Sequence, residues 1–366
     1  MVQILTPEGV IAPSADAEPY LELVEGLDDA MLEQFYRDMV RSRRVDVVGA
    51  NLQRQGQLAL WVPSNGQEAA QVGSAHAARR QDHIFPAYRE HAVGMIRGLD
   101  PVRIMALLRG ATLGGWDPAE NGNFHLYTLV LASQTLHATG YAMGLRFDGL
   151  VGTGDPDVDT AVLVYFGDGS TSQGDANEAL VFGSSFQTPE VFFIQNNHWA
   201  ISVPVERQSR VPLARRGYGF GMPGIRIDGN DVLASYAVTR TAMEQARSGS
   251  GPSLIEALTY RMGAHTTADD PTKYRPEGEL ESWIARDPIT RYRTWLEGRG
   301  ASAQFFDDVA AEADDYAADV RRRALELTAP SRDQIFAHVY AEPHPLMAQQ
   351  AEWLERYESG FEGGAV

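Results

Sequence analysis

The chain contains no cysteine. Disulfides, thiolate metal sites and a cysteine nucleophile are thereby excluded. Lysine is nearly absent as well: Lys273 is the only one, and the other 30 basic residues are arginine. That bias points to a GC-rich bacterial genome, and rarity alone gives Lys273 no catalytic role. No apolar run reaches the roughly 18 residues that a membrane-crossing helix requires. Positive charge is also scarce, with 31 basic against 49 acidic residues and a net charge of −18. A basic nucleic-acid footprint is not expected. An acidic surface favours solubility and could engage a basic partner. The opening stretch, MVQILTPEGVIAPSADAEPY, lacks the basic segment and apolar core of a secretory leader. A cytoplasmic location is expected.

What is present is ample for a large core: 366 residues, 44% of them hydrophobic. Residues 1–27 are rich in proline and acid and read as an extended arm. From Asp28 the pattern turns helical, with Asp28 as N-cap and Met31, Leu32, Phe35, Met39 and Val40 on one face. Further helices are expected over 67–78, 101–109, 129–145 and 175–186. Strands are expected at 161–166, 191–194, 225–227 and 253–258. Strands separated by helices predict an α/β fold with a parallel sheet flanked by helices. The body spans 28–290. A charged helical C-terminal extension occupies 291–366.

The chemistry gathers where two strands run out. AVLVYFGDGSTSQGD places Gly167-Asp168-Gly169 directly after an apolar strand. PEVFFIQNNHWAIS ends a second apolar strand in Asn196-Asn197. A parallel strand–helix–strand unit brings both strand ends to one sheet edge. Asp168 and Asn197 can then face one ion. Both offer hard oxygens, as Mg²⁺ prefers, and Mg²⁺ keeps further positions for phosphate and water. Glycines at 167 and 169 allow a sharp turn and a close approach to an anion. Alone, a Gly-Asp-Gly turn and an asparagine pair could be simple turn and cap residues. The spacing and the flanking strands favour a diphosphate clamp.

GDG followed 26 residues later by NN resembles the thiamin diphosphate motif. Three runs narrow the resemblance: GDGSTSQGDANEAL, QNNHWAISVPVERQ and YRMGAHTTADDPTKYR. Together they resemble the alpha subunit of the decarboxylating component of 2-oxo acid dehydrogenase complexes. The resemblance covers the chain from about Asp28 to the C-terminal helices.

Several roles are implied by that resemblance. Asp168, Asn197 and the backbone carbonyl of Trp199 would hold Mg²⁺; most relatives carry tyrosine at the last position. Gly167, Gly169 and Ser170 would line the diphosphate, with backbone N–H groups offered by Gly169 and Ser170. Tyr88-Arg89 matches a Tyr-Arg pair that binds diphosphate oxygens, a task suited to the planar guanidinium. Leu131, beside Leu129, would sit under the cofactor's bent waist. His265 matches an active-site loop histidine that moves a proton to the lipoyl acceptor. His125 is a second histidine candidate, in a loop shorter than that of relatives; packing is the other reading. Gln195 departs from relatives that have arginine before the asparagine pair. Thr266 stands where mitochondrial relatives carry a regulatory phosphoserine, so that regulation does not carry over.

Thiamin activation also needs a glutamate facing the aminopyrimidine ring, which in this family comes from a beta subunit. The resemblance therefore implies a partner, in an assembly of two alpha and two beta chains. It also implies a lipoyl domain on an acyltransferase core as acyl acceptor. Branched-chain 2-oxo acids and pyruvate are both open as substrates. The arginine bias tilts the reading toward branched-chain acids, because GC-rich bacteria often use a single-chain pyruvate enzyme. A non-catalytic scaffold that binds Mg²⁺ and diphosphate is the third reading. Retention of His265 argues against it.

Overall fold

The computed structural model describes residues 1–361; residues 362–366 of the expected C-terminal extension lie outside that range. Among the described residues seven strands form: β1 (His83–Phe85), β2 (Val162–Gly167), β3 (Glu190–Asn196), β4 (Trp199–Ala200), β5 (Val203–Pro204), β6 (Gly224–Asp228) and β7 (Ser253–Leu258). Five of them make one sheet in the order β1-β2-β3-β7-β6, and every pairing within it is parallel. β4 and β5 form a separate antiparallel hairpin. The four expected strands are all present. β1 was not foreseen, because three residues carry too little periodicity to register.

Both sheet faces are buried, which explains the near-continuous apolar runs. Val162, Val164 and Phe166 of β2 face one cluster, shared with Phe192 and Ile194 of β3. Leu163 and Tyr165 point the other way, into a larger cluster with Phe193, Ile255 and Phe35. The first face is covered by helices Ser133–Phe147 and Gly174–Phe186. The second is covered by Asp29–Arg54, Glu68–Ala77 and Val232–Arg247. The last two pack very closely. A Cβ on Gly73 would lie 2.6 Å from the Val232 carbonyl oxygen. Small residues in this helix are what admit the contact.

Asp28 caps the long first helix as expected, its carboxylate accepting from the Met31 N–H at 2.8 Å. Such a cap contributes about 1 kcal/mol. The segment expected as an extended arm is docked at the sheet edge. Val2 bridges to Ile227 of β6, and Ile4 and Leu5 donate backbone N–H groups to buried Asp231 at 2.7 Å. The C-terminal helices Pro288–Gly298 and Ala303–Leu325 feed Tyr292, Leu296, Phe306 and Val309 into the larger cluster. The last helix, Pro345–Ser359, buries none of its residues and leaves Trp353 and Tyr357 exposed.

One helix begins later than expected. The stretch predicted to start at Leu129 becomes helical only at Ser133, after Ala132 adopts a left-handed φ of 70°. Leu129–Leu131 are thus released from the helix to project elsewhere.

Candidate active site

Gly167 pairs in register with Gln195. Asp168 and Asn197 therefore leave adjacent strands at the same carboxyl-terminal edge, where α/β sheets bind ligands. A cavity of about 390 Å³ opens there. Of the twelve residues singled out from the sequence, eleven line it: Tyr88, Arg89, Leu129, Leu131, Gly167, Asp168, Gly169, Ser170, Asn197, Trp199 and His265. The volume falls within the range of small-molecule sites.

The exception is His125. Residues 123–125 run alongside β1, with a bridge between Ile84 and Phe124 and a hydrogen bond from the His125 N–H to the Ile84 carbonyl. This pairing carries the imidazole away from the cavity. Its ring stacks on Phe85 with centroids 3.8 Å apart, and its Nε2 lies 3.1 Å from His83 Nδ1. Burial, then the neighbouring His83, pushes its pKa down to about 4. In this chain His125 thus does not line the cavity with the other candidates, and its ring is packed between His83 and Phe85.

Asp168 is 1% exposed. Burial pushes its carboxyl up to about 6, and nearby donors only partly offset this. The offset comes from the backbone N–H groups of Asp168 and Asn197, the positive charge of Arg261, and the Gln208 amide, which donates at 3.2 Å. Among the described residues no Lys, Arg or His forms a salt bridge with it. A buried carboxylate without a contacting cation fits a metal ion. Asn197 is oriented by its own amide, whose Nδ2 donates to Gln67 Oε1 at 3.2 Å. The Trp199 carbonyl accepts from Arg261 at 3.0 Å, which leaves its second lone pair for a metal.

The opposite charge lies close by. Arg89 is 6% exposed and forms no salt bridge among the described residues. Its guanidinium donates to the Pro63 carbonyl, to the His265 carbonyl at 3.1 Å and to His265 Nδ1 at 3.2 Å. Arg261 is equally buried, and its donors go to the Trp199 and Ile201 carbonyls and the Tyr274 hydroxyl. Burial, then the like charge of Arg89, lowers Arg261 to about 10. Two buried guanidiniums without a carboxylate partner form an anion site. The donor set thus fits both halves of a metal diphosphate. Arg261 is the residue that sequence reasoning left without a role. Its only signal was its position three residues past β7, inside the histidine motif.

The place where relatives carry arginine is filled by neutral bonding. Gln195 donates to Glu90 and accepts from Gln71 at 3.2 Å. No cation is supplied there.

His265 is half-buried. Burial first, then Arg89 and Arg261, push its pKa down to about 3, against a smaller upward pull from Asp269. The imidazole is neutral at working pH. Its backbone N–H donates to Asp269 at 2.8 Å, which fixes the loop.

Backbone strain concentrates around the cavity. Left-handed φ values occur at His198 (71°) and Ile201 (56°), the latter β-branched, in addition to Ala132. Such residues cost about 1–3 kcal/mol each and persist where surrounding structure holds them. Gly169 is held differently, because a Cβ there would meet Ala200 Cβ at 2.8 Å. Gly169→Ala is therefore expected to displace the β4–β5 hairpin. A cost of about 1–3 kcal/mol would weaken cofactor binding roughly ten- to a hundredfold. Quenching of Trp199 fluorescence on titration would measure it; unchanged affinity would show that the hairpin yields freely.

The fold and cavity define an α/β protein with a ligand-sized pocket at the carboxyl-terminal edge of a parallel sheet. Residues 36–325 match the dehydrogenase E1 component family, and the chain belongs to that family. It is 43% identical to the 3-methyl-2-oxobutanoate dehydrogenase subunit alpha of Mycobacterium tuberculosis (strain ATCC 25618 / H37Rv), over 96% of this chain and 93% of that one. It is 37% identical to the pyruvate dehydrogenase E1 component subunit alpha of Acholeplasma laidlawii, over 90% and 94% of the two chains. The Bacillus cereus protein of the same description is 36% identical over 85% and 80%. Membership implies thiamin diphosphate as cofactor.

Proposed function

We propose that this chain is the alpha subunit of a decarboxylating dehydrogenase for branched-chain 2-oxo acids. It works with a beta subunit, in the cytoplasm, as two alpha and two beta chains. It passes the acyl group to a lipoyl domain of an acyltransferase core. The observation that carries this reading is the near full-length 43% identity to a branched-chain subunit, joined to the single cavity that collects the motif residues.

Bound thiamin diphosphate supplies the electron sink for loss of carbon dioxide and transfer of the acyl group. This chain's own residues then bind and orient. Asp168, Asn197 and the Trp199 carbonyl would hold Mg²⁺. Arg89, Tyr88 and the N–H groups of Gly169 and Ser170 would take the diphosphate. Leu131 would press against the cofactor's waist, and Leu60 and Val62 add apolar wall. His265, at the cavity, would carry the proton that the lipoyl sulfur needs.

The rim supports a partner. Leu129, Val130 and Ile201 are 63%, 69% and 53% exposed around the cavity mouth. Large apolar side chains clustered at a mouth are the kind of surface a second chain covers.

Pyruvate is the second reading, favoured by the pyruvate dehydrogenase relatives at 36–37% identity. Steady-state rates with the beta partner, thiamin diphosphate and Mg²⁺ decide between them. The expected result is a kcat/KM at least about tenfold higher on 3-methyl-2-oxobutanoate, a difference that a pocket gains from one or two methylenes. A higher value on pyruvate would overturn the assignment.

A further inference from the structure

His265 Nδ1 faces two donors and no acceptor. Arg89 Nη2 lies 3.2 Å away and Arg261 Nη1 3.4 Å away. A guanidinium has N–H groups only and cannot accept. Nδ1 must therefore carry its lone pair toward them, and a neutral ring must hold its proton on Nε2. Among the described residues Nε2 makes no hydrogen bond, and the ring lines the cavity.

Arg261 cannot easily turn away. It is tied to the Trp199 carbonyl at 3.0 Å, the Ile201 carbonyl at 2.8 Å and the Tyr274 hydroxyl at 2.7 Å. Tyr274 in turn donates to Asp269, which accepts the His265 backbone N–H. The groups facing the imidazole are thus Arg89, Arg261, Asp269 and the edge of Tyr88. Two of the three charged groups are cations, and both are buried without a carboxylate partner.

We propose that Arg261 is a positioning residue for His265: with Arg89 it fixes the imidazole as the neutral tautomer protonated on Nε2, and an anion taken up by these guanidiniums makes His265 easier to protonate. The proposal rests on the functional reading above only for the identity of that anion. The tautomer follows from donor geometry alone. The coupling follows from charge. A diphosphate beside Arg89 offsets the repulsion that opposes an imidazolium. Reciprocally, a protonated His265 strengthens diphosphate binding. Cofactor occupancy and proton-donating competence are then linked through two shared side chains.

The test uses the cofactor-free alpha/beta assembly with ¹⁵N-histidine in the alpha chain, and His265→Gln to assign the signal. The expected spectrum has an unprotonated, hydrogen-bond-accepting Nδ1 and a protonated Nε2. Adding Mg²⁺ with inorganic diphosphate should raise the titration midpoint of His265 by about one pH unit or more. Arg261→Met should raise the midpoint without any anion, whereas Arg261→Lys, which keeps the charge, should hold it low. A purely structural role would make these two variants behave alike. A proton on Nδ1, equal midpoints in the two variants, or a midpoint unmoved by diphosphate that calorimetry shows to be bound would each overturn the proposal. Calorimetry showing no binding of either diphosphate or thiamin diphosphate would instead overturn the functional reading and the coupling. The positioning role would still be decided by the tautomer in the anion-free assembly.

Discussion

Asp168→Asn is expected to abolish turnover and, in the cofactor-free assembly, to raise stability at neutral pH. Both effects come from one cause. The Asp168 carboxyl is held at about 6, above its ordinary 3.8, chiefly by burial. A carboxyl raised on folding binds protons more tightly in the folded state. Folding then meets no ionisation cost below about pH 4. The cost grows as pH rises from 4 to 6, and above 6 it is fully present. At about 1.4 kcal/mol per pH unit it amounts to roughly 3 kcal/mol. Asparagine keeps a similar shape and can still accept from Gln208, but it carries no charge to desolvate. Denaturant unfolding without Mg²⁺ should therefore favour the variant by roughly 2–3 kcal/mol at pH 7.5, and the gap should close as pH falls to 4. Mg²⁺ with thiamin diphosphate should stabilise only the wild type. A loss of metal-dependent charge stabilisation worth several kcal/mol predicts turnover reduced more than about a hundredfold. Unchanged thiamin binding and turnover would remove Asp168 from the metal set.

The stability cost marks Asp168 as a residue kept for binding, and it was also the residue most legible in the sequence. A charged residue one glycine after the six apolar residues 161–166 marks where a strand ends. Asn197 was legible for the same reason, since parallel pairing places both strand ends at one edge. Tyr88 and Arg89 were not readable from pattern. They follow β1, which is only three residues long, and resemblance alone singled them out. Arg261 was passed over because its meaning lies in what is missing around it: a buried guanidinium without a carboxylate can be seen only in three dimensions. The same holds for Gln195, whose partners Glu90 and Gln71 are 105 and 124 positions away. His125 was singled out by resemblance with packing as the other reading, and its place beside β1 was not legible because the bridge of Phe124 to Ile84 is a tertiary choice. The late start of the helix at Ser133 was hidden for a related reason. Leu129–Leu131 have good helix propensity, but the chain spends a left-handed Ala132 to aim them at the cavity rim.

Alone, the alpha chain is expected to release no carbon dioxide from a 2-oxo acid above background, and the beta chain should restore turnover. Among the described residues two acids line the cavity, Asp168 and Glu90. Asp168 is a proposed Mg²⁺ ligand. Glu90 is buried beside Arg89, accepts from the Gln195 amide and from the Arg89 N–H at 3.3 Å, and is held above the ordinary carboxyl range by burial. It follows Arg89, the arginine proposed to take the diphosphate, and so belongs to that side of the pocket under the same proposal. Under the proposed function the activating acid comes from the beta chain; among the described residues the remaining cavity wall includes the apolar Leu129 and Leu131. Glu90→Gln keeps the side chain's shape and can still accept from the Gln195 amide, but its NH₂ can no longer accept from the Arg89 N–H. In the full assembly it should retain turnover within about tenfold, the loss expected when one hydrogen bond of about 1 kcal/mol is removed. Replacing the activating acid should cost far more, since positioned acid–base groups contribute about a hundred- to ten-thousandfold. Carbon dioxide release by wild-type alpha chain alone, together with its loss in Glu90→Gln, would place the activating carboxylate in this chain and remove the need for a partner's.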